Sequence, residues 1–209
     1  MKKRIARKYM KKSNPELKID IYDFDLTLFR SPEAPEWWKK RAFGQWYAEY
    51  PSLGDPFVPR RPSGYWVEPV VREARKSIAD LNTWAIMCTG RLDRVALNYR
   101  IAELLAQKNL DFDQVLLNGM GVKTPPYKRA VVAKLLWKYP QVSKITLYED
   151  TQENIDVVEA LCQKKGVEFE GKLIRVDPHP LPNISKEEYM TFLENHLAQD
   201  ELSLIKKKL

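Results

Sequence analysis

Two hydrophobic rhythms take turns along this chain: short runs of contiguous or alternating apolar residues, and longer stretches in which apolar positions return every three or four residues. Residues 17–24, with Ile19, Ile21 and Tyr22, read as a strand that leads directly into Asp23. The pattern then predicts a helix over 68–81, a strand over 85–88, and a helix over 93–108 in which Val95, Tyr99, Ala102 and Leu105 recur at helical spacing. It continues with a strand over 114–117, a helix over 126–139, a strand over 145–148, a helix over 151–165 stopped by Gly166, and a strand over 173–176. Strands alternating with helices predict an α/β fold, a parallel, doubly wound sheet with helices on both faces.

Two stretches break the rhythm. After the first strand, Trp, Tyr, Pro and basic residues crowd together around the turn-rich Pro51-Ser52-Leu53-Gly54-Asp55-Pro56, which marks an insertion of about residues 30–66. Beyond Pro178, Pro180 and Pro182, the capping-box pattern Ser185-Lys186-Glu187-Glu188 opens a last helix over 185–199, expected as an appendix to the sheet. The organisation read from this is a basic arm (1–16), a catalytic-type domain (17–178) and a helical extension (179–209).

At 209 residues and 44% hydrophobic, the chain can bury one sizeable core. The formal charge of +7 decides little, but its distribution does: Lys2, Lys3, Arg4, Arg7, Lys8, Lys11, Lys12 and Lys18 face the single acid Glu16, an arm suited to a polyanion. The arm has no apolar run behind it and Ser13 is its only serine, so neither a secretory signal nor a transit peptide is expected. No segment approaches the roughly 20 apolar residues that span a bilayer, so a cytoplasmic protein without a membrane partner is expected. Cys88 and Cys162 have no metal or disulfide spacing and are expected to be buried thiols, and the Lys206-Lys207-Lys208 end is expected to be solvated.

In parallel α/β sheets the functional loops lie beyond the carboxyl ends of the strands. Here those ends carry Asp23-Phe24-Asp25-Leu26-Thr27, Thr89-Gly90-Arg91 and Glu149-Asp150, while Lys128, with Lys123 as the alternative, lies near the start of the helix before the last of them. Two carboxylates separated by one residue can enter one cleft if the chain turns there, one as nucleophile and the other as acid/base, and a divalent cation keeps their charges compatible. Magnesium suits that task, Thr89 offers a hydroxyl to a phosphoryl oxygen, and a lysine offers a point charge. Taken singly, each residue has a plainer reading. Asp150 with Glu153 makes a helix cap, Thr-Gly-Arg is an ordinary turn, and a lysine at a helix start is usually solvated. His179 and His196 have no ligand cluster and receive no role.

Together, the Asp-x-Asp-x-Thr, the threonine, the lysine and the acidic pair resemble the four motifs of the haloacid dehalogenase (HAD) superfamily, in order, over about residues 20–176. The run Asp23-Phe24-Asp25-Leu26-Thr27-Leu28-Phe29-Arg30-Ser31-Pro32, the Trp-rich insertion, Thr89-Gly90-Arg91 and Tyr148-Glu149-Asp150 are similar to the HAD domain of Swiss Army Knife RNA repair proteins. The resemblance implies a Rossmann-like three-layer sandwich and a magnesium-dependent phosphatase. Asp23 is then the nucleophile, Asp25 the acid/base, and Lys128 the lysine. Thr89, Gly90, Thr27 and Arg91 bind phosphate, and Asp23, Asp25, Asp150 and Glu149 surround the metal.

The insertion interleaves aromatic rings with Lys39, Lys40, Arg41, Arg60 and Arg61, the combination that single-stranded nucleic acid requires, although most such rings are expected to pack internally. Trp37, Trp38, Lys39, Lys40 and Arg41 are the candidate substrate contacts. The substrates that fit are phosphorylated ends of single-stranded RNA or DNA; free nucleotides or other small phosphoesters, and a non-catalytic nucleic-acid-binding role, are the alternatives.

Overall fold

The computed structural model describes residues 10–11 and 14–197. The basic arm at 1–9 and 12–13, the end of the expected last helix and the lysine-rich end therefore lie outside the described residues. Five strands form one parallel sheet in the order β3-β2-β1-β4-β5: β1 (Lys18–Tyr22), β2 (Thr83–Leu92), β3 (Gln114–Asn118), β4 (Lys144–Glu149) and β5 (Glu168–Leu173). The helices in chain order are a short α1 (Lys40–Phe43), α2 (Glu68–Ala79), α3 (Val95–Gln107), α4 (Thr124–Lys138), α5 (Gln152–Lys165) and α6 (Lys186–His196).

Alternation along the central strands divides the core into two layers. Tyr22, Ala85 and Met87 meet Val71 and Ala74 of α2 and Leu97, Ile101 and Leu104 of α3. Ile19, Ile21 and Ile86 meet Val132 and Leu135 of α4 and Val158 and Leu161 of α5. Cys88 and Cys162 are buried free thiols. No helix among the described residues is long and apolar enough to cross a membrane.

Three elements depart from the sequence expectation. The last strand is Glu168–Leu173, not 173–176. As an edge strand it alternates half-exposed positions and carries little hydrophobic signal, whereas Ile174 and Val176, which drew the expectation, leave the sheet and pack on the core. Strand β2 runs to Leu92, longer than the apolar run suggested. The last helix is an appendix to the insertion rather than to the sheet, with Tyr189 and Leu193 buried among Ala42, Phe43, Trp46 and Phe57. Its capping box is present as expected, the Ser185 hydroxyl accepting from the Glu188 N–H.

Arginines on the β2–α3 segment hold the insertion. Arg100, buried on α3, donates to the carbonyls of Leu53, Pro59 and Arg60, and Arg94 pairs with Glu49 at 2.8 Å. At the opposite end of the sheet, Lys11 of the basic arm is fully buried, its Nζ 2.8 Å from Asp113 and 3.0 Å from the Ile78 carbonyl.

Candidate active site

Register places the acidic groups. Tyr22 lies opposite Tyr148 in the β1–β4 pair, so the residue after β1, Asp23, emerges beside Glu149, and its N–H donates to the Tyr148 carbonyl at 3.0 Å. The chain then turns sharply: the N–H groups of Leu28 and Phe29 both donate to the Phe24 carbonyl, and Leu26 takes φ +50°, a left-handed conformation that costs a leucine roughly 1–2 kcal/mol. The turn sends the two aspartates to different partners.

Asp23 meets Lys128, whose Nζ lies 2.7 Å from Oδ1 and also contacts the Glu149 carboxylate. The lysine is 2% exposed. Burial alone would push its pKa down, but the charges of Asp23 and Glu149 outweigh that and hold it above the ordinary lysine value. Asp23, Glu149 and Asp150 offer oxygens that all lie within 4.8 Å of one another. Burial, and then the charges of Glu149, Asp25 and Asp150, raise Asp23 well above the usual carboxylate range against the opposing pull of Lys128. Burial and its contact with Glu149 push Asp150 up to about 7. Three carboxylates face one ammonium, a donor set of hard oxygens with charge left over, which fits a divalent cation such as magnesium.

Asp25 stands apart from that group. Arg91 Nε lies 3.0 Å from both its oxygens and Nη2 lies 2.8 Å from Oδ1, with the Ser31 hydroxyl donating at 2.5 Å. The expectation that Arg91 binds phosphate therefore meets a different geometry, a guanidinium already occupied by Asp25 on one edge and by the insertion on the other. Thr89 is fully buried, its Oγ1 accepting from the Arg91 N–H at 3.2 Å and lying 3.4 Å from Asp25. Gly90 lines the cleft, and a Cβ there would meet Thr124 Oγ1 at 2.4 Å, so only glycine lets the start of α4 approach so closely. Thr27 is fully buried behind the turn, its hydroxyl without a hydrogen-bond partner.

The cleft holds about 670 Å³. Lys128 lies at its floor and Lys123 at its rim, exposed at the N-cap of α4. The cap expected from Asp150 and Glu153 does not form: Thr151 is the N-cap of α5, with no side-chain cap bond. From the insertion, Gln45, Tyr47 and Ala48 reach the cleft. Trp37 and Trp38 do not. Both are half-buried: their indole N–H groups donate to the carbonyls of Ile184 and Gly44, and their rings pack with Phe43, Phe57 and Tyr189. Lys39, Lys40 and Arg41 are exposed around α1, away from the cleft lining.

Two residues escaped the sequence reading. Asn154, 4% exposed, donates to Glu149 Oε1 at 2.8 Å and keeps its own Oδ1 buried without a partner. Its spacing of four residues from Asp150, at the start of a helix, was the available signal. Tyr47, whose ring lies 5.2 Å from the Arg91 guanidinium carbon, had none.

A family model described as "HAD domain family 1 in Swiss Army Knife RNA repair proteins" matches residues 25–198. A Saccharomyces cerevisiae protein, the uncharacterized YMR265C, is 25% identical over an alignment of 169 positions that covers 66% of this chain and 35% of that protein, so the chain spans about a third of its relative's length. Among solved structures, one titled "Structure of the Pnkp1/Rnl/Hen1 RNA repair complex" is similar with a TM-score of 0.48 at 14% identity, covering 76% of this chain and 43% of the other. A second, "Structure of Pnkp1/Rnl/Hen1 complex", gives 0.46 at 15% identity over 77% and 47%.

Proposed function

Because the chain belongs to HAD domain family 1 of Swiss Army Knife RNA repair proteins, we propose that it is a magnesium-dependent phosphatase that removes phosphate monoesters from nucleic-acid ends. The observation that carries the reading is the division of labour between the two aspartates: Asp23 against Lys128, and Asp25 held apart by Arg91. One Asp23 oxygen attacks phosphorus; the bond from phosphorus to the leaving oxygen breaks, and that oxygen takes a proton from Asp25. Water then attacks phosphorus, Asp25 accepts its proton, and the bond from phosphorus to Asp23 breaks to release inorganic phosphate. Lys128 balances charge on Asp23 and on the developing phosphoryl group.

Asp23, Glu149 and Asp150 would hold the magnesium, which supplies neutralisation of the phosphoryl charge. The Asp25 carboxylate, committed to Arg91, is assigned the proton and not the metal.

The test is a release assay comparing 3′-phosphorylated oligonucleotides, 5′-phosphorylated oligonucleotides and mononucleotides, with magnesium and with chelator. Magnesium-dependent release from oligonucleotides in preference to mononucleotides supports the reading. One observation favours a second reading, hydrolysis of free nucleotides or other small phosphoesters: Trp37 and Trp38 make their indole hydrogen bonds inside the protein and do not line the cleft. Equal or better release from mononucleotides would establish it.

A further inference from the structure

Residues of the insertion hold the far edge of the guanidinium that holds Asp25. Arg91 Nη1 donates to the Ser52 hydroxyl at 2.6 Å and to the Tyr47 carbonyl at 2.9 Å. Ser52 is fully buried, and its own proton goes to the Glu49 carbonyl at 2.7 Å, which leaves its lone pairs facing Arg91. The arginine side chain is 1% exposed, so the planar fork has no water to turn toward. Its two edges are thus assigned: Nη1 to the insertion, Nε and Nη2 to the carboxylate. The serine does not drift, because Arg100 holds the adjoining Leu53 carbonyl at 2.7 Å.

From this chain of contacts we infer that the insertion is part of the acid/base apparatus, with Ser52 as a positioning residue that sets the angle of Arg91 and through it the direction in which Asp25 presents its proton. The inference rests on the assignment of Asp25 as acid/base. A guanidinium bonded on one edge only can swing about its Cδ–Nε bond and carry the carboxylate with it. Bonded on both edges, the guanidinium stays in one orientation, and the Asp25 oxygens that accept from its Nε and Nη2 are held with it. The insertion therefore acts on the bond that breaks, not on the phosphate that is bound.

Leaving-group dependence separates these roles. Wild type, Ser52→Ala, Ser52→Thr, Arg91→Lys and Asp25→Asn are assayed for kcat/KM with p-nitrophenyl phosphate, whose leaving group departs without a proton, and with phenyl phosphate, whose leaving group needs one. Competitive inhibition by inorganic phosphate and the thermal midpoint are read in parallel. Removing one hydrogen bond to a charged group should cost Ser52→Ala about tenfold on phenyl phosphate and under about twofold on p-nitrophenyl phosphate. Phosphate inhibition should be unchanged, and Ser52→Thr should restore most of the loss. Arg91→Lys, which lacks the fork, should show the same selective loss, and it carries the test if Ser52→Ala does not fold. Equal losses on both substrates, or no loss on either, for Ser52→Ala and Arg91→Lys while Asp25→Asn remains selective would overturn the inference alone. If Asp25→Asn itself shows no leaving-group selectivity, the acid/base assignment falls and takes the inference with it.

Discussion

Crowding of carboxylates around Asp23 makes a quantitative claim about stability and pH. Asp150 is half-buried and its pKa is pushed up to about 7 by burial and by Glu149. The unfolded chain releases the same proton near pH 3.9, so between about pH 4 and pH 7 the unfolded state is favoured as pH rises, and the contribution of this group to stability is fully present only below that window. Three pKa units correspond to about 4 kcal/mol; partial exposure and solvent screening reduce this to roughly 1–2 kcal/mol. For a domain of this size that is about 2–8 °C in Tm. The assay is thermal unfolding of metal-free wild type and Asp150→Asn at pH 4.5 and pH 7.5. The amide does not titrate, so the variant should gain on the wild type by that amount at the higher pH, and magnesium should then raise the wild type more than the variant. A wild-type-to-variant difference that is the same at both pH values would refute the account of mutually repelling carboxylates.

Asp23→Asn should abolish turnover while keeping the fold, measured by phosphate release beside circular dichroism; near wild-type activity with magnesium would remove Asp23 as nucleophile. Trp37→Ala should cost about 2–3 kcal/mol by chemical denaturation, below the value for a fully buried tryptophan, and leave the ratio of oligonucleotide KM to small-substrate KM unaltered; a selective rise for oligonucleotides would restore it as a stacking platform. Lys11→Met leaves the Asp113 carboxylate buried without its ammonium and should destabilise by about 3–5 kcal/mol. Truncation of the basic arm must therefore stop at residue 9, and if the arm contacts the substrate, each lost phosphate contact should flatten the slope of log affinity against log salt by about 0.7.

The strand ends were legible because a parallel sheet leaves few other places for Asp23, Thr89 and Asp150 to converge, and because their spacing survives any detail of packing. Lys128 was ambiguous with Lys123 in the sequence, since both precede or open one helix; what separates them is a side chain reaching 2.7 Å from Asp23. The separation of Asp25 from Asp23 was not legible. It depends on Arg91 meeting Ser52 and Tyr47, residues some forty positions away in a segment without periodicity. Tryptophans beside lysines look alike whether they bind bases or fill a core, and the internal partners of Trp37 and Trp38 are visible only in the folded chain. Strand β5 was misplaced for a related reason: an edge strand of Glu, Gly and Lys is held by backbone pairing to β4, to which side-chain patterning is blind.

The burial of Lys11 at the amino end of the sheet has a consequence for how the charge of the arm is counted. Its ammonium lies 2.8 Å from Asp113 with no exposure to solvent, so it neutralises an internal carboxylate and presents no charge to a polyanion at the surface. One of the cations that the sequence groups into a basic arm is thus part of the fold, a tie between the chain before β1 and the residue that leads into β3.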